Sequence, residues 1–151
     1  MLEFLLSNIK YKVVMGRNMS TQYNILGFSV PQIAMINGLI LVIWGLIAYF
    51  LQTSENPSIT AMIPAFFGII LFVLGLLSIW NEGNRHHYMH ASMALALVMI
   101  LGGLRVFPID NEMSNLAISS HLILIISGVF FIIIGIKSFR FARLSVDAVL
   151  D

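Results

Sequence analysis

The sequence predicts an all-α protein, a membrane-embedded four-helix bundle, from two observations. Four apolar stretches, at residues 33–51, 59–80, 91–107 and 116–136, take up over half of the chain and contain no Asp or Glu. Each is long enough, at about 1.5 Å of rise per residue, to cross or nearly cross a hydrocarbon layer of ~30 Å. Charged residues make up only 10% of the 151 residues, whereas soluble domains carry roughly 25%. Backbone groups in lipid are satisfied only within their own segment, so these stretches are expected to be helical.

The N-terminal segment, residues 1–30, is expected to lie at the cytoplasmic membrane surface. Apolar residues recur there at helical spacing beside two lysines, which predicts a short amphipathic helix on the membrane surface. Those residues are Leu2, Leu5, Leu6, Ile9 and Val13, with Lys10 and Lys12. The alternative is that Met19 is the true start of the protein.

The transmembrane domain is predicted to span residues 31–143, followed by a C-terminal tail at 144–151. Pro108 is expected to end the third helix, because proline has no N–H to donate. Ser114 or Asn115 is expected to cap the fourth helix.

The flanking charges predict that both termini lie in the cytoplasm. Basic residues cluster before the first helix, between the second and third, and after the fourth, whereas the other two loops are acidic. By the positive-inside rule, the basic segments stay on the cytoplasmic side. The basic residues are Lys10, Lys12, Arg17, Arg85, Lys137, Arg140 and Arg143, and the acidic ones are Glu55, Asp110 and Glu112.

Glycines recur at seven-residue intervals in three of the predicted helices. Seven residues is almost two helical turns, so both members of a pair lie on one face. Small residues let helix backbones approach closely in a membrane. We therefore expect a tightly packed bundle with glycines on its internal faces: Gly38 and Gly45, Gly68 and Gly75, and Gly128 and Gly135.

The few polar residues of the helices are expected to form two layers, which are candidate ligand or polar-cluster sites because polar groups in lipid seek partners in the bundle interior. The cytoplasmic layer contains Asn37, Ser78 and His90, and the outer layer contains Thr60, Pro64, Arg105 and His121.

Pro64 gives the outer layer a specific expectation. Proline lacks an N–H, so the carbonyl of Thr60 would lose its helical hydrogen bond. Arg105 and His121 are the predicted donors at that depth. We interpret this feature either as a small-ligand pocket at a helix kink or, preferably, as a kink whose unpaired carbonyl is hydrogen-bonded by a neighbouring helix.

The residues do not predict an enzyme. The chain has no cysteine, and the series Glu82, His86 and His90 is interrupted by Gly83 and Asn84, which are expected to break the helix. His90 and His121 lie at opposite depths, so they do not suit a haem. We expect no catalytic residues, no metal and no cofactor. A net charge of +1 argues against a nucleic-acid partner.

Three segments carry a resemblance: NGLILVIWGLIAYF from Asn37, SITAMIPAFFG from Ser58 and RHHYMHASMALALV from Arg85. With them, residues 31–143 resemble a group of small bacterial four-helix membrane proteins without an assigned activity. The resemblance implies a bacterial inner (cytoplasmic) membrane protein and no particular chemistry.

The leading functional hypothesis is therefore a non-enzymatic accessory, assembly or self-associating bundle. Its expected partners are the lipid bilayer and either a second copy or another membrane protein. The alternative is a small transporter or channel for a neutral or anionic solute that uses neutral polar groups.

Overall fold

The computed structural model describes residues 1–10, 23–53, 55–107 and 114–150, with side chains up to Asp147. Residues 2–10 form helix α1. A two-stranded antiparallel hairpin follows, with β1 at Asn24–Ile25 and β2 at Phe28–Ser29. The long helices are α2 (Val30–Phe50), α3 (Ile63–Trp80), α4 (Arg85–Gly103) and α5 (Asn115–Leu150). Short 3₁₀ helices at Ile59–Met62, Glu82–Asn84 and Leu104–Val106 flank α3 and α4.

The four long helices form an antiparallel bundle of two helical hairpins. α2 packs closely along α3, and α4 packs closely along α5. Contacts between α3 and α4, and fewer between α2 and α5, close the ring. All four helices are long and apolar enough to cross a membrane, which agrees with the predicted fold class.

Glycines bring the backbones of α2 and α3 into direct contact. A Cβ atom placed on Gly38 would lie 2.5 Å from the carbonyl oxygen of Gly68, and one on Gly45 would lie 2.6 Å from the Ala65 nitrogen. A Cβ atom on Gly75 would lie 2.7 Å from the Pro31 oxygen. Any larger residue at these positions forces the helices apart.

Glycines also lie at the contact between α4 and α5, where most of the atoms that they approach belong to side chains. A Cβ atom on Gly128 would lie 2.7 Å from the Ala96 oxygen, and Gly135 lies against the Met93 side chain. Gly103 lies opposite His121 and Ile125. The glycines of α2 thus face α3, and those of α5 face α4.

The interior between the helices is filled by apolar side chains. The largest fully buried ones include Leu41, Leu71, Met99 and Phe131, from all four helices. Large apolar side chains also remain exposed along the outside of every long helix.

Several helix boundaries differ from the prediction. α4 begins at Arg85 instead of residue 91, because the chain needs only the 3₁₀ turn at Glu82–Asn84 to reverse direction. α-Helical geometry begins at Ile63 after the 3₁₀ helix, rather than at residue 59. Pro108 lies outside the described residues, and α4 already ends at Gly103.

The largest difference concerns α5, which does not end at residue 136. It continues as helix to Leu150, through the residues expected to form a tail. Its 36 residues correspond to about 54 Å, against the ~30 Å of a hydrocarbon layer. Residues 137–150 contain no proline or glycine, so nothing local stops the helix.

The predicted N-terminal helix is present at residues 2–10, with every side chain exposed. Lys12 and Val13 lie outside the described residues. Beyond them, the β hairpin turns at Leu26 and Gly27, which have φ of 54° and 85°. Positive φ at both turn positions is the geometry of a tight two-residue hairpin. The hairpin leads directly into α2, where the Ser29 N–H donates to Gln32 Oε1 at 2.9 Å.

Candidate functional site

An open seam of the bundle lies between α2 and α5. A groove of about 480 Å³ runs along its outer face, and we call it the α2/α5 groove. A neighbouring hollow of about 300 Å³ shares Asn37, Ile40 and Phe130 with it and reaches the β hairpin. Both volumes fall within or at the edge of the range of ~300–1,000 Å³ typical of ligand pockets. The groove is lined by Asn37, Ile40, Ile43, Trp44, Ile47, Ile123, Ile126, Ser127 and Phe130.

Two buried polar residues meet at the floor of the groove. The Ser127 hydroxyl donates to Asn37 Oδ1 at 2.9 Å. Asn37 Nδ2 donates in return to the Ser127 backbone oxygen at 3.4 Å, a long hydrogen bond. Asn37 and Ser127 are only 8% exposed. This reciprocal pair fixes α2 against α5 at one register.

A second polar pair lies two turns farther along both helices. Trp44 Nε1 donates to Ser120 Oγ at 3.3 Å. Trp44 follows Asn37 by seven residues and Ser120 precedes Ser127 by seven, as antiparallel neighbours require. The two pairs therefore form one polar ladder along an otherwise apolar seam.

The cytoplasmic layer expected from the sequence does not assemble. Asn37 pairs with Ser127 of α5 rather than with Ser78 or His90. Ser78 is fully buried, and its hydroxyl has no hydrogen-bond partner in the described structure. His90 lies exposed at the bundle end, where its Nδ1 is 2.7 Å from the His86 oxygen and its ring lies tilted against that of Phe139.

The expected proline kink is also wrong. Pro64 lies in the first turn of α3, where a helix has no hydrogen bond for the missing N–H to break. The Thr60 carbonyl is not orphaned, because it accepts from the Ile63 N–H within the 3₁₀ helix. The Thr60 hydroxyl pairs with that of Ser58. Because α3 begins at Ile63 and Pro64 lies in its first turn, the Thr60 carbonyl needs no donor from another helix.

Arg105 and His121 are not brought together with Thr60 as a polar cluster. The Arg105 side chain is exposed on the 3₁₀ helix after α4. His121 Nδ1 is 2.7 Å from the Ala117 oxygen, four residues earlier on the same helix. Each of the outer-layer polar side chains is thus exposed or satisfied locally.

Two histidines lie side by side at the α3–α4 turn. The rings of His86 and His87 lie 3.8 Å apart, but no group of three or more potential ligands is found among the described residues. Glu82 belongs to the 3₁₀ turn, off the α4 helix, which agrees with the expected break at Gly83 and Asn84.

Sequence reasoning missed Trp44 and Ser127. The available signal was a shared seven-residue interval, from Asn37 to Trp44 and from Ser120 to Ser127. Comparison of the chain with protein-family models, curated proteins and solved structures finds no match.

Proposed function

We propose that this chain is a non-enzymatic integral membrane protein that associates laterally within the membrane through the α2/α5 groove. Its partner is a second copy of the chain or, as an accessory subunit, another membrane protein. The open α2/α5 groove is the observation that carries the proposal.

The pattern of burial supports the membrane location. The four long helices expose isoleucine, leucine, valine and phenylalanine on their outer faces. Soluble monomeric proteins rarely expose apolar surface this extensive. The charged residues collect at the ends of these helices instead. At one end, α3 stops at Trp80, α4 begins at Arg85, and α5 carries Lys137, Arg140 and Arg143. We call this the basic end.

The basic end is proposed to face the cytoplasm. The positive-inside rule favours that orientation, and the 81% exposed Trp80 lies there, as expected for an aromatic residue at a membrane interface. The resemblance to small bacterial membrane proteins favours the bacterial inner membrane.

The shape of the bundle supports association at the α2/α5 groove. Lipid supplies no hydrophobic drive for helix association, so shape complementarity and van der Waals contact decide which surfaces pair. The α2/α3 and α4/α5 seams are already closed by glycine contacts. The α2/α5 groove is concave and apolar, with room for the side chains of a partner helix.

The filled interior weighs against the alternative of a transporter or channel. Leu41, Leu71 and Met99 are fully buried at the centre of the bundle. The polar ladder lies between α2 and α5, rather than around a central lumen.

The proposal is tested by isolating the protein from its native membrane in a mild detergent and measuring the mass of the intact species. A stoichiometric homodimer, or a stoichiometric complex with a second membrane protein, would support lateral association. A strictly monomeric species without any partner would contradict it. Labelled protein in liposomes would then be mixed with unlabelled protein. Unlabelled protein should reduce proximity between labels that comes from specific self-association, and chance proximity should not respond in this way.

A further inference from the structure

The β hairpin walls a separate hollow at the basic end of the α2/α5 seam. This hollow, which we call the hairpin hollow, has a volume of about 300 Å³ and lies between the hairpin, α2 and α5. Asn37 is the polar member of its lining, and the Asn37 amide is already engaged with Ser127. The hollow therefore suits an apolar occupant. Its lining includes Ile25, Leu26 and Phe28 from the hairpin, Ile33 and Ile36 from α2, and Ile134 from α5.

The tip of the hairpin combines backbone strain with exposed apolar side chains. Leu26 has a φ of 54°, in the left-handed region that bulky side chains rarely adopt. Its side chain is 93% exposed and that of Phe28 is 47% exposed, so packing within the chain does not offset the strain at Leu26. A strained, exposed position of this kind favours a role in contact with another molecule.

The base of the hairpin, in contrast, is fixed to the bundle. The Tyr23 ring centroid lies 5.4 Å from that of Phe141 on α5, and Ile25 packs against the buried core. The exposed tip is thus held in one place beside α2 and α5.

We propose that the hairpin hollow holds one acyl chain of an anionic phospholipid from the leaflet at the basic end. This inference rests on the membrane location proposed above and does not require lateral association. Along α2 the hollow extends from Ile33 to Ile40, which is about 10 Å of helix against the ~30 Å of a hydrocarbon layer. Ile36 and Ile40 are exposed on the outer face of α2, so the hollow opens toward the surrounding lipid chains.

The hairpin makes a lipid chain a better occupant of this hollow than a partner helix. A helix with its side chains is about 10–12 Å wide. One that followed the seam to the basic end would meet Leu26 and Phe28, which wall the hollow there. An acyl chain is narrower and flexible, so it can pass between these side chains and α2. A partner helix remains able to occupy the rest of the α2/α5 groove.

Lys137 supplies the charge that favours an anionic headgroup. It follows Ile134 by three residues and Phe130 by seven, so all three lie on one face of α5. Lys137 is exposed, and within the described part of the chain no hydrogen bond or ion pair involves it. The first turn of α2 contains no acidic residue. Lysines just outside a membrane span attract anionic lipid headgroups.

Native mass spectrometry of the full chain in detergent tests this proposal with dioleoyl phosphatidylglycerol and dioleoyl phosphatidylcholine, which have the same acyl chains and differ in headgroup charge. Wild-type protein is expected to retain one phosphatidylglycerol per chain after bulk lipid is removed, and to retain phosphatidylcholine less well. Ile36→Trp fills the hollow and should weaken retention by about fivefold or more, because the indole takes the space of the chain. Ile69→Trp is the matched change at an exposed position of α3 and should alter retention less than about twofold.

Two further variants separate the headgroup from the hollow and keep the test open if Ile36→Trp fails to fold. Lys137→Gln should remove the preference for phosphatidylglycerol, whereas Arg143→Gln, the same charge change farther along α5, should keep it. Leu26→Gly removes a wall of the hollow, and glycine adopts positive φ without strain. It should weaken retention severalfold without lowering the Tm.

Equal retention of the two lipids by wild-type protein, or equal losses in Ile36→Trp and Ile69→Trp, would overturn the proposal. A loss in Leu26→Gly that only follows a lowered Tm would also count against it. Ile36 lines the hairpin hollow and is not among the residues of the α2/α5 groove, so the two proposals can fail separately. A dimer without retained lipid would contradict this one alone, and a lipid-bound monomer would contradict lateral association alone.

Discussion

The side chain of Ser127 hydrogen-bonds that of Asn37 across the α2/α5 seam at 2.9 Å, and both residues are buried. Ninety residues separate the two positions in the chain. Their pairing joins the two helical hairpins at the seam where helix contacts are fewer and no glycine brings the backbones together. This seam also opens into the α2/α5 groove.

The Asn37–Ser127 pair should show measurable energetic coupling. We expect Asn37→Ala and Ser127→Ala each to destabilise the protein, because each leaves a buried partner unsatisfied. The double variant should lose less stability than the sum of the two single variants. The difference should be about 0.6 kcal/mol and below ~1.7 kcal/mol, the range found for interhelical hydrogen bonds in membranes. Unfolding in mixed micelles measures these free energies. Strict additivity of the two single changes would show that the two side chains are not energetically coupled.

Glycine substitutions should separate packed from open positions. We expect Gly68→Ala to lower the free energy of unfolding by about 1–3 kcal/mol, the usual cost of overpacking. Its Cβ atom would lie 2.5 Å from the Gly38 carbonyl oxygen. Gly102→Ala is the control, because a Cβ atom there meets nothing within 4 Å. The control should raise stability by about 0.5–1 kcal/mol, since alanine favours helix. Equal effects of the two changes would contradict the close α2/α3 contact.

Two buried serines should respond in opposite ways to loss of their hydroxyl groups. Ser78→Ala removes an unpartnered hydroxyl and should stabilise the protein by about 1 kcal/mol. Ser92→Ala removes a hydroxyl that donates to the Tyr88 oxygen at 2.8 Å and should cost about 0.5–1.5 kcal/mol. Thermal unfolding in detergent compares them, and a loss of stability in Ser78→Ala would indicate a partner for its hydroxyl.

The two tryptophans should report different membrane depths. Trp44 lies within α2, two turns beyond Asn37, and Trp80 lies at the exposed end of α3. In liposomes, the variant Trp80→Phe keeps only Trp44, which should emit at shorter wavelength and be quenched by bromine deep in the acyl chains. Trp44→Phe keeps only Trp80, which should be quenched by shallow bromines. Equal quenching profiles would argue against the proposed placement of the bundle in the membrane.

The sequence predicts the presence and order of the long helices well because the length and hydropathy of the apolar stretches indicate them. It also indicates the glycine faces, since a seven-residue interval keeps two residues on one side of a helix. The pairing of Asn37 with Ser127 is different, because it depends on which helices are neighbours and in what register. Helical periodicity contains no information on either.

Local alternatives explain the expectations that were wrong. The expectation of an unpaired Thr60 carbonyl assumed an α-helix through residue 60. In the 3₁₀ helix found there, the Ile63 N–H donates to that carbonyl. The predicted end of α5, at residue 136, is the end of the apolar stretch, whereas the helix continues to Leu150. Hydropathy marks where a membrane ends, whereas a helix continues until proline, glycine or a cap interrupts it.

Cysteine cross-linking in native membranes tests association through the α2/α5 groove most directly. The chain has no cysteine, so each single-cysteine variant reports one position. Ile126 in the groove is 67% exposed, and Leu101 on the α4 surface is 61% exposed. A scan would compare groove positions Ile40, Ile43 and Ile126 with matched positions Ile69, Leu97 and Leu101 on α3 and α4. Mild oxidation should yield disulfide-linked dimers at groove positions, or adducts to one defined membrane protein with a bifunctional reagent. Equal cross-linking at both sets of positions, or cross-linking mainly at the α3 and α4 positions, would contradict the account.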